Sequence, residues 1–553
     1  MNFFGRKGVM SEQALWYKSA TFYEVSVRAF QDSDGDGHGD IPGLISRLDY
    51  LAKLGVNCLW LNPIYPSPMK DDGYDISDFR SIHPDFGTMQ DFYKLVEQAH
   101  RRDIRIILDL VLNHTSDQHP WFQAAKLDRQ SPFHDYYVWS VTDQKYNDAR
   151  IIFIDTEKSN WSWNAETSEY FWHRFYSSQP DLNYDNPLVR EEMKSIMRFW
   201  LDTGIDGFRA DAVPYLYERE DTICENLPET HAYLKELRKM IDEEYPGRIL
   251  LCEANQWPSD VRPYFGDDDE FHMGFHFPLM PRIFMSISKA DCSSIRKILD
   301  DTPIIPPKSQ WCIFLRNHDE LTLEMVTEEE REWLWSYYAP DQRMRLNLGI
   351  RRRLSALLNR DQRMIELANS LLFSLPGSPI IYYGDEIGMG DNIWLPDRNG
   401  VRTPMQWSCG FNAGFSTAKA DDLYSPIIDD ELYPLEKLNV EAQINTAGSL
   451  FQHVKGFIGT HHNHPALQEG SLTWVETSLG NQVACYLRRC CAESILVINN
   501  LSDQDLHGKI MDELVVEIGS QIIQKGGVCE VHHQQGQLSL DLDPYGYLWL
   551  LLE

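Results

Sequence analysis

Residues Gly207–Val213 read GFRADAV, a short apolar segment in which an arginine and an acid stand two positions apart. Alternate side chains of a strand share a face, so Phe208 and Ala210 can pack on one side. Arg209 and Asp211 then project together from the other side. Seven similar β-rich runs, separated by amphipathic stretches, occur between residues 21 and 384: TFYEVSV, CLWLNP, IRIILDLVLN, ILLCEAN, MGFHFP, WCIFLRN and PIIYYG. Eight such alternations predict an α/β fold, a (β/α)8 TIM barrel.

The stretches between the strands carry signals of helix ends. Asn186 and Pro187 supply an N-cap and a proline at the first helical position. Apolar residues follow at helical spacing: Met193, Ile196, Met197, Trp200 and Leu201. The stretch DIPGLISRLDYLAKLG likewise has Asp40 as its cap and Gly55 as its stop.

Two regions break this rhythm. Between the third strand, which we expect to end near His114, and the helix after Asn186 lie roughly 70 residues, too many for a simple loop. We predict that residues 113–185 form a small inserted domain B over the barrel mouth. Residues 1–112 and 186–467 would form the barrel, domain A, and the β-rich residues 468–553 an antiparallel C-terminal β-sandwich, domain C.

Charge and composition exclude several classes of function. The 553 residues carry a formal net charge of −32 at pH 7, which would repel nucleic acid and anionic membranes and favours neutral small molecules as ligands. The N-terminal MNFFGRKGVMSEQALWYK lacks an apolar signal region, and no later apolar stretch is uninterrupted enough to span a membrane, which predicts a soluble cytoplasmic protein. Ten cysteines without a CxxC pair indicate mostly buried, reduced thiols.

Three acids follow predicted barrel strands. Asp211 ends the fourth strand, Glu253 ends the fifth and Asp319 ends the seventh. A single acid at a strand end is more often a helix cap or an ion-pair partner, but the chemistry of such barrels collects at this face. Three acids at one mouth therefore predict catalysis. Paired carboxylates suit glycoside chemistry, because one attacks the anomeric carbon while the other protonates the leaving oxygen.

The motifs DLVLNHTSDQHPWF, GFRADAV, CEAN, LRNHDE, QPDLN and RTPMQW closely resemble signature regions of the α-amylase family of glycoside hydrolases. The resemblance covers nearly the whole chain. It implies that Asp211 is the nucleophile, that Glu253 is the acid/base and that Asp319 binds and distorts the sugar ring. Arg209 beside the nucleophile is then expected to favour its ionised form.

The same resemblance implies a set of substrate contacts. His114 and His318 would hydrogen-bond sugar hydroxyls, Tyr74 would form a stacking floor, and Asp71 with Arg402 would clamp the far side of the glucose. Gln179, within QPDLN, resembles the oligo-1,6-glucosidase branch, which acts on small substrates. Ala212, after the nucleophile, resembles members that prefer α-1,4 links, which points to maltose.

Further motifs resemble family members that interconvert maltose and trehalose: DAVPYLYERE, CENLPETHA, CEANQWP, HFPLMPR, FLRNHDELTLEMVT and DRNGVRTPMQW. They imply an isomerase that transfers glucose within one bound disaccharide through a covalent glucosyl–Asp211 intermediate, with minor hydrolysis to glucose. The inserted domain and a loop after Asp319, ELTLEMVTEEE, are the candidate lid. An α-glucosidase that hydrolyses maltose or short oligosaccharides is the alternative.

Barrels of this kind also serve as non-catalytic transporter-accessory subunits, but these lack the catalytic acids and carry a membrane span. We therefore disfavour that class. No kinase-like segment follows residue 553, so a maltokinase partner is expected to be a separate chain. The sequence is compatible with a homo-oligomer.

The stretch DSDGDGHGD places Asp32, Asp34, Asp36 and Asp40 at even positions of a glycine-rich loop, an arrangement that Ca²⁺ favours. It is not an EF-hand, because Gly43 occupies the position of the closing glutamate. The resemblance implies a structural Ca²⁺ here, with the His38 carbonyl in its shell, against the alternative of a metal-free acidic turn. It implies a second oxygen cluster too: Asn113, Asp181, Glu218 and the carbonyls of Tyr215 and Leu216. No organic cofactor is expected.

Overall fold

A computed structural model describes residues 12–491, 493–512, 520–534 and 537–552. Part of the N-terminal stretch from which we argued the lack of an export signal, residues 1–11, lies outside them. Eight parallel strands close into a barrel, as predicted, each within one of the eight runs or one residue beyond it. They are Phe22–Val25, Cys58–Leu61, Arg105–Val111, Gly207–Asp211, Ile249–Cys252, Met273–Phe275, Gln310–Phe314 and Ser378–Tyr382.

The barrel interior carries charged residues as well as apolar ones. Asp109 of the third strand pairs in register with Arg209 of the fourth, and both are almost completely buried. Glu24 of the first strand is also fully buried. These charges lie beneath the carboxyl ends of the strands, where the predicted catalytic acids stand.

The predicted helix ends are confirmed. The Asn186 side chain accepts a hydrogen bond from the Leu188 N–H, and Asp40 accepts one from the Gly43 N–H. The stretch after Asp40 forms two short helices rather than one before Gly55 ends it with φ near 105°. The α-helices are Val27–Phe30, Ile41–Ser46, Leu48–Leu54, Met89–His100, Pro120–Ala125, Pro187–Leu201, Pro228–Glu244, Pro258–Val261, Leu279–Lys289, Ser293–Asp300, Glu328–Tyr338, Leu354–Leu357, Gln362–Ser374, Val440–Gln443, Leu450–Asn463 and Pro465–Glu469.

The segment between the third and fourth barrel strands contains its own antiparallel sheet. Its strands are Trp139–Ser140, Trp161–Asn164 and Glu169–Trp172, with the last in the centre. The Leu182 N–H donates to the Asn113 carbonyl, and the Tyr184 hydroxyl donates to the Leu112 carbonyl. These bonds attach the segment to the end of the third strand. Its division from the barrel as domain B stays a prediction.

The region after Asp319 differs from the predicted loop. It begins with the strand Leu321–Thr322 and enters the helix Glu328–Tyr338, which starts with a capping box between Thr327 and Glu330. The short strands Arg345–Leu346 and Gly349–Ile350 complete a small sheet. The loop prediction missed the capping signal that TEEE carries.

The C-terminal region forms antiparallel sheets, as predicted. A five-stranded sheet contains, in spatial order, Ser471–Trp474, Val483–Cys490, Glu493–Asn500, Tyr547–Leu552 and Gln521–Gly526. A three-stranded sheet contains Leu506–Lys509, Gln537–Leu542 and Cys529–Gln534. Aliphatic residues of both sheets, including Leu496, Ile498 and Leu540, pack into one cluster. The exact boundary of domain C stays a prediction.

All ten cysteines are free thiols and seven are buried. Within the described ranges, no helix is both long enough and apolar enough to cross a bilayer.

Candidate active site

The three predicted catalytic acids meet in one cavity at the carboxyl end of the barrel. Asp211, Glu253 and Asp319 all line it. Four of the predicted substrate contacts, Asp71, Tyr74, His114 and His318, line it too. Arg209, Gln179 and Arg402 do not line it and stand behind these residues.

Arg209 connects two of the acids. Its Nη1 lies 2.6 Å from Asp211 Oδ1 and 2.6 Å from Asp109 Oδ1, and its Nη2 pairs with Glu253 Oε1. The backbone N–H of Ala212, a residue with φ near 53°, donates to Glu253 Oε2 at 3.2 Å. One guanidinium therefore fixes both carboxylates of the predicted catalytic pair.

Burial and neighbouring charges set the order in which this pair takes up protons. Burial raises the pKa of Asp211 to about 6 against the lowering effect of Arg209. Burial and the Asp211 carboxylate raise the pKa of Glu253 to about 7, again against Arg209. The expectation that Arg209 favours ionised Asp211 has the right sign, but burial outweighs it. Glu253 thus holds its proton to higher pH than Asp211.

Asp319 has the opposite environment. Its Oδ1 lies 2.7 Å from Arg398 Nη1 and 3.0 Å from Arg402 Nη2, and its Oδ2 lies 3.1 Å from His318 Nε2. Burial alone would raise the pKa of Asp319, but His318 and the two arginines hold it well below the usual range. Asp319 is therefore a permanent carboxylate.

The predicted clamp of Asp71 and Arg402 is arranged differently. Asp71 pairs with Arg398 at 2.6 Å, and its other oxygen accepts from Gln179 Nε2 at 2.9 Å. Arg402 contacts Asp319, the His318 carbonyl and Asp72, but not Asp71. Arg398 thus links Asp71 to Asp319 in the position expected for Arg402.

Tyr74 and His114, two of the predicted substrate contacts, have different polar surroundings. The Tyr74 ring stacks on His318 at 5.1 Å, and its hydroxyl donates to Asp109 Oδ2 at 3.1 Å. Burial lowers the pKa of His114 to about 3, which leaves it neutral. Its Nε2 has no hydrogen-bond partner within the described part of the chain and is buried beside the cavity.

Two groups of oxygen atoms could hold a cation. Asp32, Asp34 and Asp40 can each bring one carboxylate oxygen within 4.8 Å of the others. Asp36 does not belong to this group, and its carboxylate accepts from the His38 N–H at 2.8 Å. Burial and neighbouring acids raise the pKa of Asp34, as expected for carboxylates collected without a cation. The donor set fits Ca²⁺.

The second group comes from residues that follow the third and fourth barrel strands and from Asp181 of the inserted segment. Asn113 Oδ1, Asp181 Oδ2 and Glu218 Oε1 are buried and find no hydrogen-bond partner among the described residues. Burial raises the pKa of Asp181 to about 8, and burial with Asp181 raises that of Glu218 well above its ordinary value. Buried oxygens of this kind fit a hard cation, and the 3-10 turn Val213–Tyr215 precedes Leu216, the other predicted carbonyl donor.

Several residues of the site were not identified from the sequence. Ile152, Phe153 and Phe175 of the inserted segment form an apolar side of the cavity, and Asn255, Glu320 and Glu324 add polar groups. Arg150 of the same segment lies 2.6 Å from Glu324 and 2.9 Å from Glu225. Arg398 lies within the quoted motif DRNGVRTPMQW, so its position was visible but its contacts were not.

A family model for the alpha amylase catalytic domain matches residues 25–339 and 350–470. The chain belongs to the alpha-amylase family. Within this family, the chain is 56% identical over 506 residues to a trehalose synthase/amylase, TreS, of Mycobacterium tuberculosis, which covers 90% of this chain and 84% of that protein. It is 52% identical to a trehalose synthase of Pimelobacter, and the match covers 89% of this chain and 88% of that protein.

Among solved structures, a mutant of the trehalulose synthase MutB in complex with Tris superposes with a TM-score of 0.81 at 26% identity. The match covers 97% of this chain and all of that one. The identities to trehalose synthases confirm the resemblance predicted from the second set of motifs, and with it the predicted enzyme class, an isomerase.

Proposed function

We propose that the protein interconverts maltose and trehalose by retaining, intramolecular glucosyl transfer, with minor hydrolysis to glucose. The observation that carries this proposal is the Arg150–Glu324 ion pair, which joins two chain segments that line the cavity containing Asp211 and Glu253. The names of the relatives that are 52–56% identical to this chain agree with it.

In the first step, protonated Glu253 donates to the glycosidic oxygen while Asp211 attacks the anomeric carbon. The bond from this carbon to the oxygen breaks, which leaves a glucosyl ester on Asp211 and one free glucose. The higher pKa of Glu253 supports the acid role and the lower pKa of Asp211 supports the nucleophile role. Both carboxylates bind one guanidinium, which favours the short separation of about 5–5.5 Å that retention requires.

In the second step, the freed glucose turns and presents its anomeric hydroxyl to the ester. Glu253 accepts the hydroxyl proton, the new bond to the anomeric carbon forms and Asp211 is released. The apolar side chains of Ile152, Phe153 and Phe175 support the turn, because they offer no hydrogen bond that would fix one orientation.

Isomerisation must compete with attack by water. A retained glucose can have an effective molarity on the order of 10⁵ M or more, but only while the cavity stays closed. Arg150 supports closure because it contacts Glu324 on one side and Glu225 and the Tyr215 hydroxyl on the other. The inserted segment and the region after Asp319 would therefore act as the lid.

We propose one or two structural Ca²⁺ ions. Asp32, Asp34 and Asp40, with the His38 carbonyl, would hold the first, and the cluster of Asn113, Asp181 and Glu218 with two backbone carbonyls would hold the second. Bound there, a cation would supply positive charge that neutralises buried carboxylates and fixes the loops around the mouth.

Product analysis tests the proposal. Incubated with maltose, the protein should form trehalose with only minor glucose, and labelled external glucose should scarcely enter the product. Release of mainly glucose, or free incorporation of the label, would favour the α-glucosidase alternative instead.

A further inference from the structure

Glu24 is a buried carboxylate in the middle of the first barrel strand. It pairs in register with Trp60 on one side and with Tyr382 on the other, and its side chain is completely buried. A charge in this position is costly unless it is paired. None of the motifs that identify the catalytic acids includes it.

The partner of Glu24 is His318. Glu24 Oε1 accepts from His318 Nδ1, from the His318 backbone N–H at 3.3 Å and from Asn62 Nδ2 at 3.2 Å. On the other side of the ring, His318 Nε2 lies 3.1 Å from Asp319 Oδ2. Each ring nitrogen therefore faces a carboxylate oxygen. A neutral imidazole would turn one lone pair toward a carboxylate, so this geometry favours a proton on both nitrogens.

We propose that Glu24 is a positioning residue, which holds His318 as an imidazolium and thereby fixes the ionised Asp319 against the sugar in the cavity. The inference deepens the proposed function and rests on the sugar-binding role given there to Asp319. The first barrel strand would thus contribute to the site without touching substrate.

The surrounding charges support this arrangement. Burial opposes the imidazolium, but the Asp319 and Glu24 carboxylates raise the pKa of His318 to about 10. Tyr74 stacks on the ring. The His318 charge acts to lower the pKa of Asp109, which also pairs with Arg209. On the side of the eighth strand, Asp385 and Tyr382 interact with the Glu24 charge.

Arg398 and Arg402 also contact Asp319, so Asp319 stays ionised when His318 loses its proton. The expected effect is therefore a change in how His318 holds Asp319. The charge of Asp319 itself should not change.

Glu24→Gln tests the proposal, because it keeps an oxygen acceptor and removes the charge. Protein labelled with ¹⁵N-histidine reports ring protonation, and His318→Gln assigns the signal. In wild type both His318 nitrogens should stay protonated to about pH 9, whereas in Glu24→Gln the midpoint should move by about one unit or more toward ~6.5, the ordinary value for histidine.

Activity should follow the same midpoint. The leaving group of α-glucosyl fluoride needs no proton. With this donor, a fall of kcat/KM at alkaline pH therefore no longer reports the loss of the Glu253 proton. One pH unit above the new midpoint only about a tenth of the molecules keep the imidazolium, so kcat/KM should fall about tenfold and recover below the midpoint. Glu24→Asp restores a charge at longer range and should give an intermediate midpoint for the His318 titration. This variant also serves as the test if Glu24→Gln does not fold.

Glu386→Gln is the matched control. Glu386 is a buried carboxylate that accepts from the hydroxyls of Tyr50 and of Tyr23, the residue before Glu24 in the chain, and no hydrogen bond or ion pair links it to His318. The Glu386→Gln variant should leave the His318 titration unchanged. A His318 that stays doubly protonated in both Glu24 variants as in wild type, or a loss of activity equal at every pH, would overturn the proposal. The ring signal does not depend on product, so a failed trehalose assay would leave this test intact.

Discussion

Removing the Glu324 carboxylate should increase hydrolysis at the expense of trehalose. Glu324 Oε2 lies 2.6 Å from Arg150 Nη1 across the lid, and its side chain is 14% exposed while that of Arg150 is 36% exposed. A buried hydrogen bond between charged groups contributes about 1.5–3 kcal/mol. Solvent at Arg150 reduces this to about 1–2 kcal/mol, which corresponds to a factor of about 5–30 in the open population of the lid.

In Glu324→Ala, Arg150 keeps Glu225 and the Tyr215 hydroxyl, so the variant removes one contact across the lid and leaves the arginine paired. Initial rates of glucose and trehalose formation from maltose, measured together, should show a glucose-to-trehalose ratio raised by about 5–30-fold. The control is Glu329→Ala, an exposed glutamate of the same region. An unchanged ratio in Glu324→Ala, with the total turnover intact, would refute the role of the ion pair in water exclusion.

Four further outcomes are expected. Asp211→Ala should lose turnover with an unchanged circular dichroism spectrum, and near wild-type activity would remove Asp211 from its role. Glu253→Gln should fail with maltose yet form product from α-glucosyl fluoride, so an equal loss on both donors would argue against the acid role. Because Asp211 must be ionised and Glu253 protonated, kcat/KM for maltose should fall below pH about 6 and above pH about 7, and a flat profile would contradict these pKa values. Exhaustive chelation should lower the melting temperature before it weakens maltose binding. The variants Asp34→Ala and Glu218→Gln distinguish the two sites, and an unchanged melting temperature after chelation would exclude both ions.

The barrel was predictable because its signals are local. Each strand is a short apolar run between helical stretches, and the caps at Asp40 and Asn186 lie within three residues of the groups they bind. The three acids were predictable for the same reason, since each lies at the carboxyl end of its strand or shortly after it. The region after Asp319 was predicted less well, because its strands pair with residues almost thirty positions away.

The contacts behind the acids could not be derived locally. Asp71 and Arg398 are separated by 327 residues, and nothing in either motif selects Arg398 over Arg402 as the partner. The protonation order of Asp211 and Glu253 depends on burial, which the spacing of residues does not report. Glu24 looked like an ordinary strand residue, because its partner His318 lies 294 positions further along the chain.

A shortage of positive charge at the base of the cavity explains how the fold keeps an acid protonated. Arg209 is shared by Asp109, Asp211 and Glu253, so one cation faces three carboxylates. Asp109 also accepts from the Trp60 indole and the Tyr74 hydroxyl, which favour its ionised form. The Asp211 charge then raises the pKa of Glu253, whereas the hydrogen bond with Glu253 lowers that of Asp211, so the proton settles on Glu253, which has the higher pKa of the two. Asp319 contacts three cations and stays ionised. The number of cations beside each carboxylate thus separates the acid from the sugar-binding group.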